Sequence, residues 1–138
     1  MGRDEVILLD THAAIWFATD SDLLGQTSRD LADQALLDER LLVSAISFWE
    51  VALLTSKGRL QIGRSTSELR LRLIDAGVTE LPLTGPISIL SVELKNLHGD
   101  PADRFIAATA VIHGATLMTA DAELLRWPHA IQRQDASQ

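Results

Sequence analysis

The sequence predicts an α/β fold, a three-layer α/β/α arrangement around a central parallel sheet of four or five strands. Three observations predict it. Short apolar runs alternate with helix-length segments along the whole chain, the order produced when crossover helices cover both faces of a parallel sheet. The first run, Val6-Ile-Leu-Leu9, is apolar without interruption, as in strands buried on both faces. The 138 residues are 46% apolar, which suits one domain over 1–138 with a sizeable core.

The elements follow in order. Glu5 to Leu9 reads as the first strand, and Thr11 to Ala18 as a helix entered directly from it. Thr19-Asp-Ser-Asp22 is a turn, and Thr27 or Ser28 caps a helix with Leu31, Ala32, Ala35 and Leu36 on its apolar face. Arg40 to Val43 is a second strand; Ser44 to Ser56 is a strongly apolar helix ending near Gly58. Ser65 opens a helix that Gly77 stops, and Val78 to Leu81 is a third strand. Pro86 starts a helix running to about Leu94, and the loop Asn96 to Pro101 follows. The helix Ala102–His113 ends at Gly114, Ala115 to Met118 is a fourth strand, and Asp121 to Arg126 is a short helix. Ile131 to Arg133 is the candidate for a last edge strand.

Composition narrows the function. There is no cysteine, so disulfides, zinc–thiolate sites and thiol nucleophiles are excluded, and a reducing, cytoplasmic setting is expected. No apolar run approaches the ~20 residues of a membrane span, and the start MGRDEV does not read as a signal peptide. The net charge of −7 argues against a broad nucleic-acid-binding face. Five of the twelve cations nevertheless fall together: Lys57, Arg59, Arg64, Arg70 and Arg72. That patch is either a contact for phosphates or a solvated helix face balanced by Glu68 and Asp75.

Four acids sit in unusually apolar surroundings. Asp10 is the only formal charge between Glu5 and Asp20, at the carboxyl end of the first strand. Glu50 is the only one between Arg40 and Lys57. Asp103 opens a helix within Gly99-Asp-Pro-Ala-Asp-Arg104, and Asp121 is the first formal charge after Arg104. Each has a local reading. Asp10 and Asp121 are placed as helix N-caps, Ser47-x-x-Glu50 matches a capping box, and Asp100-Pro101-x-Asp103 matches a cap followed by a dipole-favoured acid. All four also lie on the carboxyl-end side of a strand or on the helix after one, positions that converge on one sheet edge.

Four carboxylates at one edge repel one another unless a cation sits among them. Oxygen donors without cysteine select a hard ion, Mg²⁺ or Mn²⁺. Such an ion activates water and neutralises phosphoryl charge, so the expected chemistry is hydrolysis of a phosphodiester or phosphate ester. Asp10 and Asp121 are expected as direct ligands, and Asp103 as a ligand directly or through water. Glu50 is expected to hold a water or act as general base. Thr11, Ser47 and Thr119 are candidates to orient the acids, with plain backbone capping the alternative. Arg104 is expected to pair with one of the acids or meet a phosphate. His12 is read as packing or supporting the acid in preference to contacting substrate, His98 as a plain loop residue in preference to one facing the groove, and His113 as a dipole-favoured helix end. Trp16, Phe17, Phe48 and Trp49 are read chiefly as core.

Leu9-Asp-Thr-His12 with Trp16, Ser44-x-x-Ser-x-Trp-Glu50, Asp100-Pro-x-Asp-Arg104 and Leu117-x-Thr-x-Asp121 together resemble PIN-domain proteins, most closely the VapC toxins of toxin–antitoxin pairs. The resemblance runs from about residue 5 to 133. It implies a PIN fold and a Mg²⁺- or Mn²⁺-dependent endoribonuclease with Asp10, Glu50, Asp103 and Asp121 as its acidic quartet. It also implies a homodimer, a VapB-type antitoxin covering the active-site groove, and operator DNA bound through that antitoxin. An RNA-processing nuclease without antitoxin and a non-catalytic binding domain are the alternatives.

Overall fold

The computed structural model describes residues 5–138; the first four residues of the MGRDEV stretch lie outside that range. The chain runs β1 (Ile7–Leu9), α1 (Thr11–Ala18), α2 (Gln26–Leu37), β2 (Leu41–Ser44), α3 (Ala45–Ser56), α4 (Thr66–Ala76) and β3 (Thr79–Leu81). It continues through α5 (Gly85–Glu93), α6 (Pro101–His113), β4 (Thr116–Thr119), α7 (Ala122–Arg126) and β5 (Arg133–Asp135). The five strands are all parallel, in the order β3-β2-β1-β4-β5.

Alternation along the central strands divides the core in two. Ile7, Leu9, Leu41, Val43 and Met118 face one side, against Ala13 and Ala14 of α1, Ala32 and Ala35 of α2, Val51 of α3, and Leu69 and Leu73 of α4. Leu8, Leu42 and Leu117 face the other, under Ile106, Ala107 and Ala110 of α6, with Leu124 and Trp127. Each such Leu or Ile contributes roughly 1.5–3 kcal/mol by leaving water, which is why β1 carries no polar position before Asp10.

Topology then places the site. The chain steps outward from β1 through β2 to β3, and returns to β4 on the opposite side of β1. The connections leave β1 and β4 in opposite directions, so a crevice opens between their carboxyl ends. The Asp10 N–H donates to the Met118 carbonyl at 3.0 Å and continues the pairing into that crevice.

Several boundaries differ from expectation. The first strand begins at Ile7, not Glu5. The last strand lies at Arg133–Asp135, with Leu117 opposite Arg133 and Thr119 opposite Asp135, and not at Ile131–Arg133. Its residues are polar and held mainly through backbone pairing, so no apolar run marks it. Gly25, not Thr27 or Ser28, occupies the N-cap of α2; Ser28 is buried and donates to the Asp135 carbonyl at 2.9 Å. Ser44 caps α3, so the Ser47–Glu50 capping box does not form; the capping box of the fold is Ser65 with Glu68. Gly77 and Gly114 end α4 and α6 at φ 116° and 60°, a left-handed conformation that side chains disfavour. Trp49 is half exposed, while Trp16, Phe17 and Phe48 pack partly buried against the core.

Candidate active site

Asp10 leaves β1 fully held. Its Oδ1 accepts the Ala13 N–H at 2.9 Å, capping α1, and its Oδ2 accepts the Thr119 hydroxyl at 2.5 Å. Only 5% of the residue is exposed, and burial pushes its carboxyl above the usual carboxylate range. Thr119 closes β4 and also accepts the Asp121 N–H at 3.0 Å. Asp121 in turn caps α7 by accepting the Leu124 N–H at 2.9 Å. The capping reading of both aspartates is therefore correct, and it does not compete with a shared site. A strand end that becomes a helix cap fixes the carboxylate while leaving lone pairs for another partner.

The remaining acids arrive from two helices. Thr11 donates to Ser47 at 3.1 Å, a buried bond that joins α1 to α3 and sets the helix carrying Glu50. Asp100 caps α6 by accepting the Asp103 N–H at 3.0 Å, so Asp103 sits in the first helical turn. Asp10, Glu50, Asp100, Asp103 and Asp121, with Thr11, His12, Trp16 and Ala120, line one cleft of about 290 Å³. All four acids singled out in the sequence thus meet, and Asp100 joins them. Among the described residues, no Lys or Arg belongs to the lining.

The electrostatics favour a bound cation. Burial first, then the charges of Asp100, Asp121, Glu50 and Asp10, push the Asp103 carboxyl up to about 8. Protonation is one relief of that repulsion and a bound cation is the other. Carboxylate oxygens, rigidly presented and free of sulfur, suit Mg²⁺ or Mn²⁺; the donor set of the cleft fits such an ion.

Two residues depart from expectation. Among the described residues, Arg104 pairs with no acid. Its guanidinium donates instead to the carbonyls of Ser91, Val92, Leu94, Leu97 and His98 at 2.6–3.2 Å, pinning the loop before α6. His98 is not a plain loop residue. Its Nε2 is buried, 3.3 Å from Asp103 Oδ2 and 3.6 Å from Asp121 Oδ2. Its spacing from Asp103 in Leu97-His-Gly-Asp-Pro-Ala-Asp103 carried no metal-ligand signature, because the approach depends on how the loop folds back over α6. His12, expected as packing or support for the acid, is exposed at the cleft, with Trp16 one helical turn on and ring centroids 6.2 Å apart. His113 does lie in the last turn of α6.

The basic patch lies apart from the lining. Arg70 makes a two-point contact with Glu80 at 2.6 and 3.0 Å, and Arg72 is 4.0 Å from Asp20. Lys57 and Arg59 are exposed just past the end of α3.

Comparison with known proteins agrees with this fold. The family model for the PIN domain matches residues 7–129, and the chain belongs to that family. It is 32% identical to Ribonuclease VapC22 of Mycobacterium tuberculosis over 124 residues, covering 89% of this chain and 92% of the relative. Among solved structures it resembles VapBC2 from Rickettsia felis bound to a promoter DNA fragment, at 16% identity and a TM-score of 0.66, covering 94% and 97% of the two chains. FitAcB from Neisseria gonorrhoeae matches at 22% identity and a TM-score of 0.63, covering 95% and 98%. At these identities the structural likeness speaks for the fold.

Proposed function

We propose that this chain is a metal-dependent endoribonuclease of the VapC type, one PIN domain that hydrolyses RNA phosphodiester bonds and is neutralised by a VapB-type antitoxin. The observation that carries the chemistry is the meeting of Asp10, Glu50, Asp103 and Asp121 in one cleft. The relationship to Ribonuclease VapC22 supports RNA as the substrate. The toxin–antitoxin complexes among the structural relatives, one of them bound to promoter DNA, support an antitoxin partner; operator DNA contacted through that antitoxin is what the family resemblance implies. A homodimer is the assembly expected of the family resemblance.

Asp10, Asp103 and Asp121 hold Mg²⁺ or Mn²⁺ in this reading. When bound, the ion lowers the pKa of a water and neutralises charge on the scissile phosphate. Glu50 takes the water's proton or fixes its orientation. Thr119 holds Asp10 in place, and Thr11 with Ser47 keeps α3, and so Glu50, in register with α1. The acidic lining itself repels RNA, so phosphate contacts come from the rim. Lys57 and Arg59, exposed just past the end of the helix that carries Glu50, are the better rim candidates, since Arg70 and Arg72 already face acids.

The test is cleavage of a mixed cellular RNA pool by purified protein with Mg²⁺ or Mn²⁺, against EDTA, and by the Asp10→Asn variant. Metal-dependent cutting that disappears in the variant is expected. Cutting that persists in EDTA would overturn the metal mechanism, and no cutting by folded, metal-saturated protein would overturn the nuclease assignment.

A further inference from the structure

His98, Asp103 and Asp121 lie close enough for their donor atoms, all within 4.8 Å of one another, to share one cation. The hydrogen bonding of the ring points to a different role. Nδ1 of His98 accepts the Asp100 backbone N–H at 3.3 Å. A ring nitrogen that accepts carries no proton, so in the neutral imidazole the proton resides on Nε2. Nε2 is the atom aimed between Asp103 Oδ2 and Asp121 Oδ2. A protonated nitrogen offers a hydrogen bond and has no lone pair for a metal.

That N–H is buried, and neither carboxylate meets it in hydrogen-bond geometry. A buried donor in that state costs free energy, and the two acid oxygens are the partners within reach. Arg104 binds the His98 carbonyl at 3.1 Å and the Leu97 carbonyl at 2.7 Å, fixing the backbone on which the ring is mounted.

We infer that His98 is a positioning residue of the metal centre, not itself a ligand, whose Nε2 N–H turns to Asp103 Oδ2 and Asp121 Oδ2, the acceptors within reach. The inference rests on the metal reading above. Carboxylate ligands depend on such outer hydrogen bonds, and losing one weakens metal binding about 10–100-fold. His98 thus holds two acids from separate elements, α6 and the β4–α7 junction, in one orientation.

Two measurements test this. Mn²⁺ is titrated calorimetrically into the wild-type protein, His98→Ala and His98→Gln. We expect about 10-fold or greater weakening in His98→Ala and partial recovery in His98→Gln, whose amide keeps an N–H. Equal Mn²⁺ affinity in wild type and His98→Ala would overturn the inference while leaving the metal site intact. No Mn²⁺ binding by the wild type would overturn the metal reading and this inference together. Independently of any variant, ¹⁵N spectra of histidine-labelled protein with and without Mg²⁺ report the tautomer. We expect Nε2 to carry the proton in both states; loss of that proton on adding Mg²⁺ would make His98 a ligand and overturn the assignment.

Discussion

The Thr119 hydroxyl donates to Asp10 Oδ2 at 2.5 Å and accepts the Asp121 N–H at 3.0 Å. One buried side chain at the end of β4 therefore holds the acid of β1 and starts the turn that presents the acid of α7. It ties together two of the proposed metal ligands, which stand 111 residues apart in the chain.

Replacing Thr119 removes both bonds at once. Thr119→Val keeps the shape and leaves Asp10 Oδ2 and the Asp121 N–H without this partner. We expect a loss of roughly 1.5–3 kcal/mol in stability, the range for a hydrogen bond to a charged group, together with a large fall in cleavage. Thr119→Ser retains the hydroxyl and should recover most of both. Urea denaturation and RNA cleavage on the three proteins check this; a fully active Thr119→Val would remove the residue from the site.

Asp10→Asn separates catalysis from folding. Burial already disfavours charge on this side chain, and the charge of Glu50 adds to that. An amide of the same shape still accepts the Ala13 N–H and relieves the repulsion. Cleavage should fall to background while the melting temperature stays level or rises in metal-free buffer. An unfolded variant would show that Asp10 serves chiefly as the α1 cap.

The acid cluster also sets a pH dependence. Asp103 is raised to about 8 in the folded, metal-free protein from an ordinary value of 3.8. Across that window the folded state binds more protons than the unfolded chain, so this group makes stability fall as pH rises from about 4 to about 8. Denaturation in EDTA should give a lower midpoint at pH 8 than at pH 5. Asp103→Asn should flatten the difference, and saturating Mn²⁺ should restore stability at pH 8. An EDTA midpoint that rises towards pH 8 in the wild type and is unchanged by Asp103→Asn would contradict the assignment.

Arg104 is a loop anchor whose five carbonyl contacts a lysine cannot reproduce. Arg104→Lys should cost about 1–3 kcal/mol and speed amide hydrogen exchange over the segment Leu94 to Asp100. It should also weaken Mn²⁺ binding, because His98 rides on that loop. Unchanged exchange in the segment would show that the loop is held by other contacts.

RNA binding provides the last check. If Lys57 and Arg59 meet phosphates, Lys57→Ala with Arg59→Ala should flatten the salt dependence of RNA affinity by up to about 1.4 in log–log slope, roughly 0.7 for each single-strand phosphate contact. Arg70→Ala should change it less, since Glu80 already holds that guanidinium. The reverse order would move the RNA path to α4.

Local pattern was enough to predict the sheet, most helices and the four acids that meet in one cleft. Val6 to Leu9 is apolar at every position because β1 is covered on both faces, and such a run is visible in one dimension. Asp10, Glu50 and Asp121 stood out because a charge inside a long uncharged stretch is itself a sequence signal. β5 did not show the same signal, since Arg133–Asp135 is polar and its register comes from pairing with β4. His98 and Arg104 were misread for a related reason. What each touches depends on how the Leu94–Asp100 loop folds back, which turns a guanidinium towards five carbonyls and an imidazole towards two acids. Burial pattern and isolated charge are properties of a segment; the partner of a polar side chain is a property of the space that distant segments enclose, and only the folded chain specifies it.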